Sequence, residues 1–362
     1  MSMSPGAPVP DRPRHDVRIG LWGAASSGKT TYLGALKFAA QQARSQWRWK
    51  VVAKDPAALS VLGELANVLA IQREFPPATF GNTRLSWSFL GEKPLEQSPR
   101  VGSWPTRDRG GGGSRTTART NQIEVALDLL DVPGGLFDDN FAGYDDDDEE
   151  DELDFDGPST GPSRGVVHAE ELVEHLVACD GIIYLFDPIR DEAEGDAYRH
   201  FNRMLDEVVS RAFDRGKLIG NRLPHQLAVC VTKFDDPRVL GRAVERHELE
   251  KLGAKPGQPK ISSDVAFRYF NMLCHDRPDS TARHVRDGIM STFQADRVRF
   301  YATSSIGFYL GVDDRFDPAD YANVISEGGR LRIRARLQPM NVLEPLVKMA
   351  AEIRKARTGR LV

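Results

Sequence analysis

Cysteine is scarce: Cys179, Cys230 and Cys274 are the only three in 362 residues. They are scattered, and Cys179 and Cys230 adjoin apolar runs. Buried reduced thiols are therefore expected, which excludes a disulfide-built scaffold and fits a reducing compartment. No apolar run approaches the roughly 20 residues that a membrane span needs. The first residues hold neither a signal-peptide core nor a glycine at position 2 for myristoylation. A soluble, cytoplasmic protein with no integral membrane segment is the expectation. The histidines never share metal-ligand spacing with cysteines or acids; His247 and His275 stand alone and read as surface or packing residues. Internal repeats are absent as well.

What is present begins with enough apolar residues, 40% of the chain, for a large core. The formal net charge of -4 conceals a segregation. Asp145–Asp156 (DDDDEEDELDFD) holds ten acids, and removing their charge leaves the remainder at +6. Such a run cannot pack against itself, so disorder is expected from about Asp138 to Arg164. Met1–His15 is rich in proline and serine and reads as a mobile tail. Ser98–Thr120 is built on Gly110–Gly113 and carries Arg100, Arg107, Arg109, Arg115 and Arg119. A solvated hairpin tip explains it better than contact with nucleic acid or an acidic partner does.

Between these segments, strands and helices alternate. Strand-like runs are Val17–Trp22, Trp47–Ala53, Arg84–Leu90, Ile123–Leu130, Gly181–Phe186, Gln226–Thr232 and Val298–Ala302, with a further one at Leu331–Leu337. Helical periodicity occupies Thr31–Ala43, Pro56–Arg73, Val167–Ala178, Ala197–Phe213, Asp264–Cys274, His284–Gln294 and Met340–Lys355. The alternation predicts an α/β fold with a mostly parallel sheet and helices on both faces. Length alone would allow about two domains. The motif order argues instead for one domain over residues 16–358, with insertions at about 98–120, 138–165, 236–262 and 311–337.

Gly23-Ala24-Ala25-Ser26-Ser27-Gly28-Lys29-Thr30 fits G-x-x-x-x-G-K-[ST], the phosphate-loop pattern, and lies between a buried strand and a helix as that pattern requires. Glycine lets the backbone turn tightly and approach a phosphate. The amides from Ser26 to Thr31 would converge at a helix N-terminus, where the dipole favours anions. That assigns nucleotide binding to Ala25, Ser26, Ser27, Gly28, Lys29, Thr30 and Thr31. Lys29 supplies charge to the outer phosphates, and the Thr30 hydroxyl is a Mg²⁺ ligand.

Three further groups follow in order, each at the end of a strand, where open α/β sheets place ligands. Asp131 opens D-x-x-G and would reach Mg²⁺ through water; the Gly134 amide can meet a terminal phosphate. Thr232-Lys233-Phe234-Asp235 matches [NT]-K-x-D. Asp235 can accept from both the ring N–H and the exocyclic amine of guanine, a donor pair that adenine lacks, and the Lys233 stem can lie over the base. Thr303-Ser304-Ser305-Ile306 follows the next strand, where a backbone amide can meet the guanine carbonyl.

Together these residues resemble a P-loop GTPase of the translation-factor and Ras-like (TRAFAC) class, over roughly Val17–Lys355. The pieces GKTTYLGAL, FPPAT, LLDVPGG, YLFDP and QPMNVLEPL are similar to bacterial double-GTPase (DO-GTPase) proteins of signalling and conflict systems. The resemblance implies one antiparallel strand in the sheet, and a regulatory switch that binds GTP or GDP with Mg²⁺. It also implies a first-switch threonine that holds Mg²⁺ and senses the γ-phosphate. Thr79 is the best placed, with Thr116, Thr117 and Thr120 as rivals. Lys29, Thr79 and Gly134 then carry catalysis, and Thr30, Thr79 and Asp131 serve the metal. Two departures matter. Gly135 stands where Ras-like proteins have the glutamine that orients the attacking water, and Ala25 stands at their second loop glycine. No arginine is placed by sequence as a finger in cis. Slow or partner-assisted hydrolysis, with a protein activator, is what the resemblance then implies. A non-hydrolysing nucleotide-bound scaffold and a P-loop ATPase are the competing readings.

Overall fold

The computed structural model describes residues 17–24, 26–43, 48–77, 83–94, 120–131, 164–276, 280–311 and 313–359. The expected tail, Ala25, Thr79, Gly134, Gly135, the rival threonines Thr116 and Thr117, and nearly all of the Gly/Arg and acidic segments lie outside them. The side chains of Asp131 and Thr120 lie outside them too.

The chain opens with β1 (Val17–Gly23), turns through the phosphate loop, and enters α1 (Lys29–Gln42). β2 (Arg48–Ala53) and α2 (Pro56–Asn67) follow. A π-helical turn, Val68–Gln72, extends α2 and stops at Arg73 in a left-handed conformation. β3 (Thr83–Pro94) and β4 (Thr120–Asp131) form a long antiparallel pair. Beyond them, α3 (Arg164–Ala178), β5 (Gly181–Phe186), α4 (Pro188–Glu194), α5 (Ala197–Asp214) and β6 (Gln226–Val231) alternate. Four helices, α6 (Pro237–Ala243), α7 (Arg246–Leu252), α8 (Ser263–Asp276) and α9 (Ala282–Thr292), precede β7 (Val298–Ala302). A two-stranded hairpin of β8 (Val324–Glu327) and β9 (Arg330–Ile333) and the closing helix α10 (Glu344–Thr358) complete the chain.

Seven strands form one sheet in the order β2-β3-β4-β1-β5-β6-β7. β1 is parallel to β4 and β5, and β5, β6 and β7 continue in parallel. β3 is antiparallel to both β2 and β4, so it alone runs against the rest. This is the expected mixed α/β class with its single reversed strand. All six residues of β5 are buried, as befits a parallel strand covered on both faces. Period-two alternation divides the core. Ile182, Tyr184 and Phe186 of β5, with Leu227, Val229 and Val231 of β6, pack under α3, α5, α8 and α9. Ile183, Leu185, Ala228 and Cys230 point the other way, against α1 and α10, in the layer that α2 also joins. Helices therefore cover both faces, and the three cysteines are buried and form no disulfide.

Several element bounds differ from the sequence expectation, for local reasons. The strand expected over Leu331–Leu337 is confined to Arg330–Ile333, because Arg334 N turns to Asn323 O and Ala335 N to the Asn323 side chain. The closing helix starts at Glu344 rather than Met340, since Met340 and Ser304 exchange backbone bonds. The single helix expected over Pro56–Arg73 ends in the π turn. The short helices α4, α6 and α7 span seven residues each, too few for the periodicity reading.

Candidate guanine-nucleotide site

The strand order changes direction at β1. Its own crossover through α1 leads towards β2, whereas the chain leaving β4 crosses to β5 on the other side. Such a switch point leaves a crevice beyond the strand's carboxyl end. Gly23 is level with Leu185 of β5, Phe186 with Val231 of β6, and Val231 with Ala302 of β7. Residues following β1, β5, β6 and β7 therefore emerge along one edge. Ile19 pairs with Leu127, and continuing that register by four residues brings Asp131 level with Gly23. Thr83 pairs with Asp131, so the chain enters β3 at this same edge. The opposite end of that pair, where Pro94 meets Thr120, is remote from it.

The phosphate loop is shaped by sterics at two glycines. A Cβ on Gly23 would lie 2.6 Å from Ser27 Oγ and 2.9 Å from Leu185 O, so a side chain cannot be accommodated there. Gly28, the N-cap of α1, has φ 92°, and nothing lies within 4 Å of where its Cβ would be. Ser26 also has positive φ, 55°. The first intrahelical bond runs from Tyr32 N to Gly28 O. The amides of Gly28 to Thr31 precede it and point out of the helix end, as helix geometry requires. Lys29 folds back over the loop and donates to Gly23 O and Ala24 O, both at 2.9 Å. The Ser27 hydroxyl is buried and has no hydrogen-bond partner among the described residues. A buried hydroxyl without a partner costs free energy unless a ligand or water meets it. Gly28, Lys29, Thr30 and Thr31 are half-buried at the mouth of the loop.

Two strands away, about 10 Å at sheet spacing, Thr232-Lys233-Phe234-Asp235 turns off β6. Thr232 donates its amide and its hydroxyl to Phe186 O, at 2.8 and 3.2 Å. Phe234 is fully buried and packs edge-on against Tyr269, which anchors the turn in the core. Lys233 adopts a left-handed φ of 55°. Asp235 is buried, and Ser304 Oγ donates to its Oδ1 at 2.6 Å. The same Ser304 hydroxyl accepts from Gly307 N at 2.8 Å. Phe234 N donates to Thr303 O, and Thr303 Oγ1 donates to Val231 O. Burial pushes the Asp235 carboxyl up to about 6, against the opposing pull of the Ser304 hydroxyl.

The structure thus brings Ser26 to Thr31, Thr232, Lys233, Asp235, Ser304 and Ser305 to one edge, with the end of β4 beside them. It gives Ser304 a role that sequence reasoning missed: its side chain holds Asp235, while its amide is committed to Met340 O. Asp187 was also overlooked. It directly follows β5 on the same edge and is buried, with Lys233 Nζ 2.5 Å from its Oδ2. The signal was an Asp-Pro pair directly after an apolar strand. No group of three His, Cys, Asp or Glu side chains among the described residues could by itself hold a metal. Likewise, no helix among them is long and apolar enough to cross a membrane.

No protein-family model matches the chain, and no curated protein matches it. Among solved structures, a match is found to one described as sup35 complexed with GDP. The two chains are 10% identical, the match covers 80% of this chain and 37% of that one, and the TM-score is 0.28. The chain thus spans little more than a third of the length of that structure.

Proposed function

We propose that the chain is a guanine-nucleotide-binding protein, a single GTPase domain over residues 16–358 that acts as a regulatory switch. It binds Mg·GTP and hydrolyses it slowly, or faster with a protein activator. The observation that carries this reading is the buried Asp235, fixed by Ser304 and set two strands from the phosphate loop on one edge. That separation suits a purine nucleotide lying across β5 with its phosphates at α1. Guanine's two adjacent donors match the paired acceptor oxygens of a carboxylate; adenine offers no ring N–H there. Lys29, the loop amides and the Ser27 hydroxyl would meet the phosphates. Mg²⁺, held by Thr30 and Thr79 and through water by Asp131, would neutralise phosphate charge, and the Gly134 amide would meet the γ-phosphate. Release of the Thr79 and Gly134 segments on hydrolysis is the switch.

A second reading, a nucleotide-bound scaffold that never turns over, is favoured by Gly135, which has no side chain to orient water. Binding of GTP, GDP and ATP with and without Mg²⁺, followed by single-turnover hydrolysis at high enzyme, separates the readings. Guanine-selective, Mg²⁺-dependent binding with slow hydrolysis is expected. Equal ATP binding would make the chain an ATPase, and bound but intact GTP would make it a scaffold.

A further inference from the structure

Asp187 divides its carboxylate between two tasks. Oδ1 accepts from Ile189 N and Arg190 N, at 3.0 and 3.2 Å, and so caps α4. Oδ2 faces Lys233 Nζ at 2.5 Å. The contact is an ion pair, since no hydrogen bond of regular geometry reaches Oδ2 among the described residues. The carboxylate is almost wholly buried, whereas the lysine side chain is 41% exposed. The anion is therefore the fixed member of the pair and the ammonium the one being held. The turn that carries Lys233 is joined to the end of β5 at a second point, through Thr232 and Phe186 O.

Lys233 itself stands in a left-handed conformation, which a non-glycine residue adopts only where its surroundings hold it there. A flexible four-carbon stem with a free ammonium would also lose rotamer entropy on settling over a base. Tying the ammonium to Asp187 removes part of that loss beforehand. We infer that Asp187 is a positioning residue for purine binding: it anchors the Lys233 ammonium on the β5 side, so that the lysine stem forms a pre-set wall for the base. This inference rests on the nucleotide-site reading above.

The test separates anchoring from capping and from base readout. Asp187→Asn keeps an oxygen that can cap α4 but gives up the charge. Wild type, Asp187→Asn, Lys233→Met and the double variant are titrated with fluorescent GDP and, by competition, with IDP, whose base lacks the exocyclic amine. With the ammonium part exposed, Asp187→Asn should weaken GDP and IDP by the same factor, about five-fold, the upper range for partly exposed pairs. The GDP/IDP ratio, which reports Asp235, should not move. In the Lys233→Met background the same substitution should have no effect, because no ammonium remains to be held. Unchanged affinity in Asp187→Asn overturns the inference and leaves the function reading intact. An equal loss with or without Lys233, or an altered GDP/IDP ratio, overturns it in favour of a structural role. A wild type that binds neither nucleotide overturns both readings.

Discussion

Lowering the pH from 7 to 5 should weaken guanine-nucleotide binding through one carboxyl group. Asp235 is buried, and its ordinary value of 3.8 is pushed up to about 6 by that burial. At pH 7 about ten in eleven molecules carry the ionised form; at pH 5 about one in eleven does, so affinity falls about ten-fold. A protonated Asp235 offers a hydroxyl where the base offers two N–H groups, and donor then faces donor. The sign for stability is opposite. Because the folded-state value lies above the unfolded one, this group's contribution to stability is full below about pH 4 and is lost as pH rises through about 6. The difference of about two pKa units corresponds to about 3 kcal/mol. Guanine, by donating to the anion, offsets that loss, so GDP should raise the melting temperature more at pH 7 than at pH 5. Terminal phosphates also titrate near 6, so nucleotide-free melting curves of wild type and Asp235→Asn across this range isolate the carboxyl. Parallel melting profiles for the two proteins would refute the reasoning, as would GDP affinity that rises on acidification.

Other outcomes follow from the same geometry. Lys29→Ala should abolish triphosphate binding in equilibrium titration, since it removes the only cation within the loop; near-wild-type GTP affinity would take the phosphate loop out of the mechanism. Asp235→Asn should turn preference from GTP towards xanthosine triphosphate, which carries a carbonyl where guanine has its amine. Buried mismatches of this kind discriminate by up to about 10⁴-fold, and competition binding measures the ratio. Ser304→Ala should weaken GDP by about ten-fold, because it frees the Asp235 carboxylate and removes a bond to the ionised form; an unchanged dissociation constant would show that Ser304 does not orient Asp235. Deleting Asp145–Asp156 should speed GTP association at low salt and have less effect at high salt, because ten negative charges leave the protein. Stopped-flow rates at two salt concentrations decide it.

What the sequence determined by itself is whatever depends on neighbours along the chain. The phosphate loop was legible because a glycine set against Ser27 four positions on, a glycine at φ 92° and the lysine after it are all requirements between near neighbours in the chain. The parallel core was legible because β5, β6 and β7 are short apolar runs ending at turn residues. Three helix starts were legible in principle as well. Asp55-Pro56, Asp187-Pro188 and Asp236-Pro237 each put a capping carboxylate before a proline in the first turn. Only the first leads into a run long enough to show periodicity. The tertiary structure alone decided which distant residues meet. Ser304 and Asp235 are 69 positions apart, and Lys233 and Asp187 are 46 positions apart in sequence. Glu74 meets Arg332 across 258 positions, fastening the β8–β9 hairpin to the end of the π turn. Parallel strands bring their carboxyl ends to one edge only after crossovers of variable length. The contacts made at that edge therefore follow strand order and register, which no local pattern encodes.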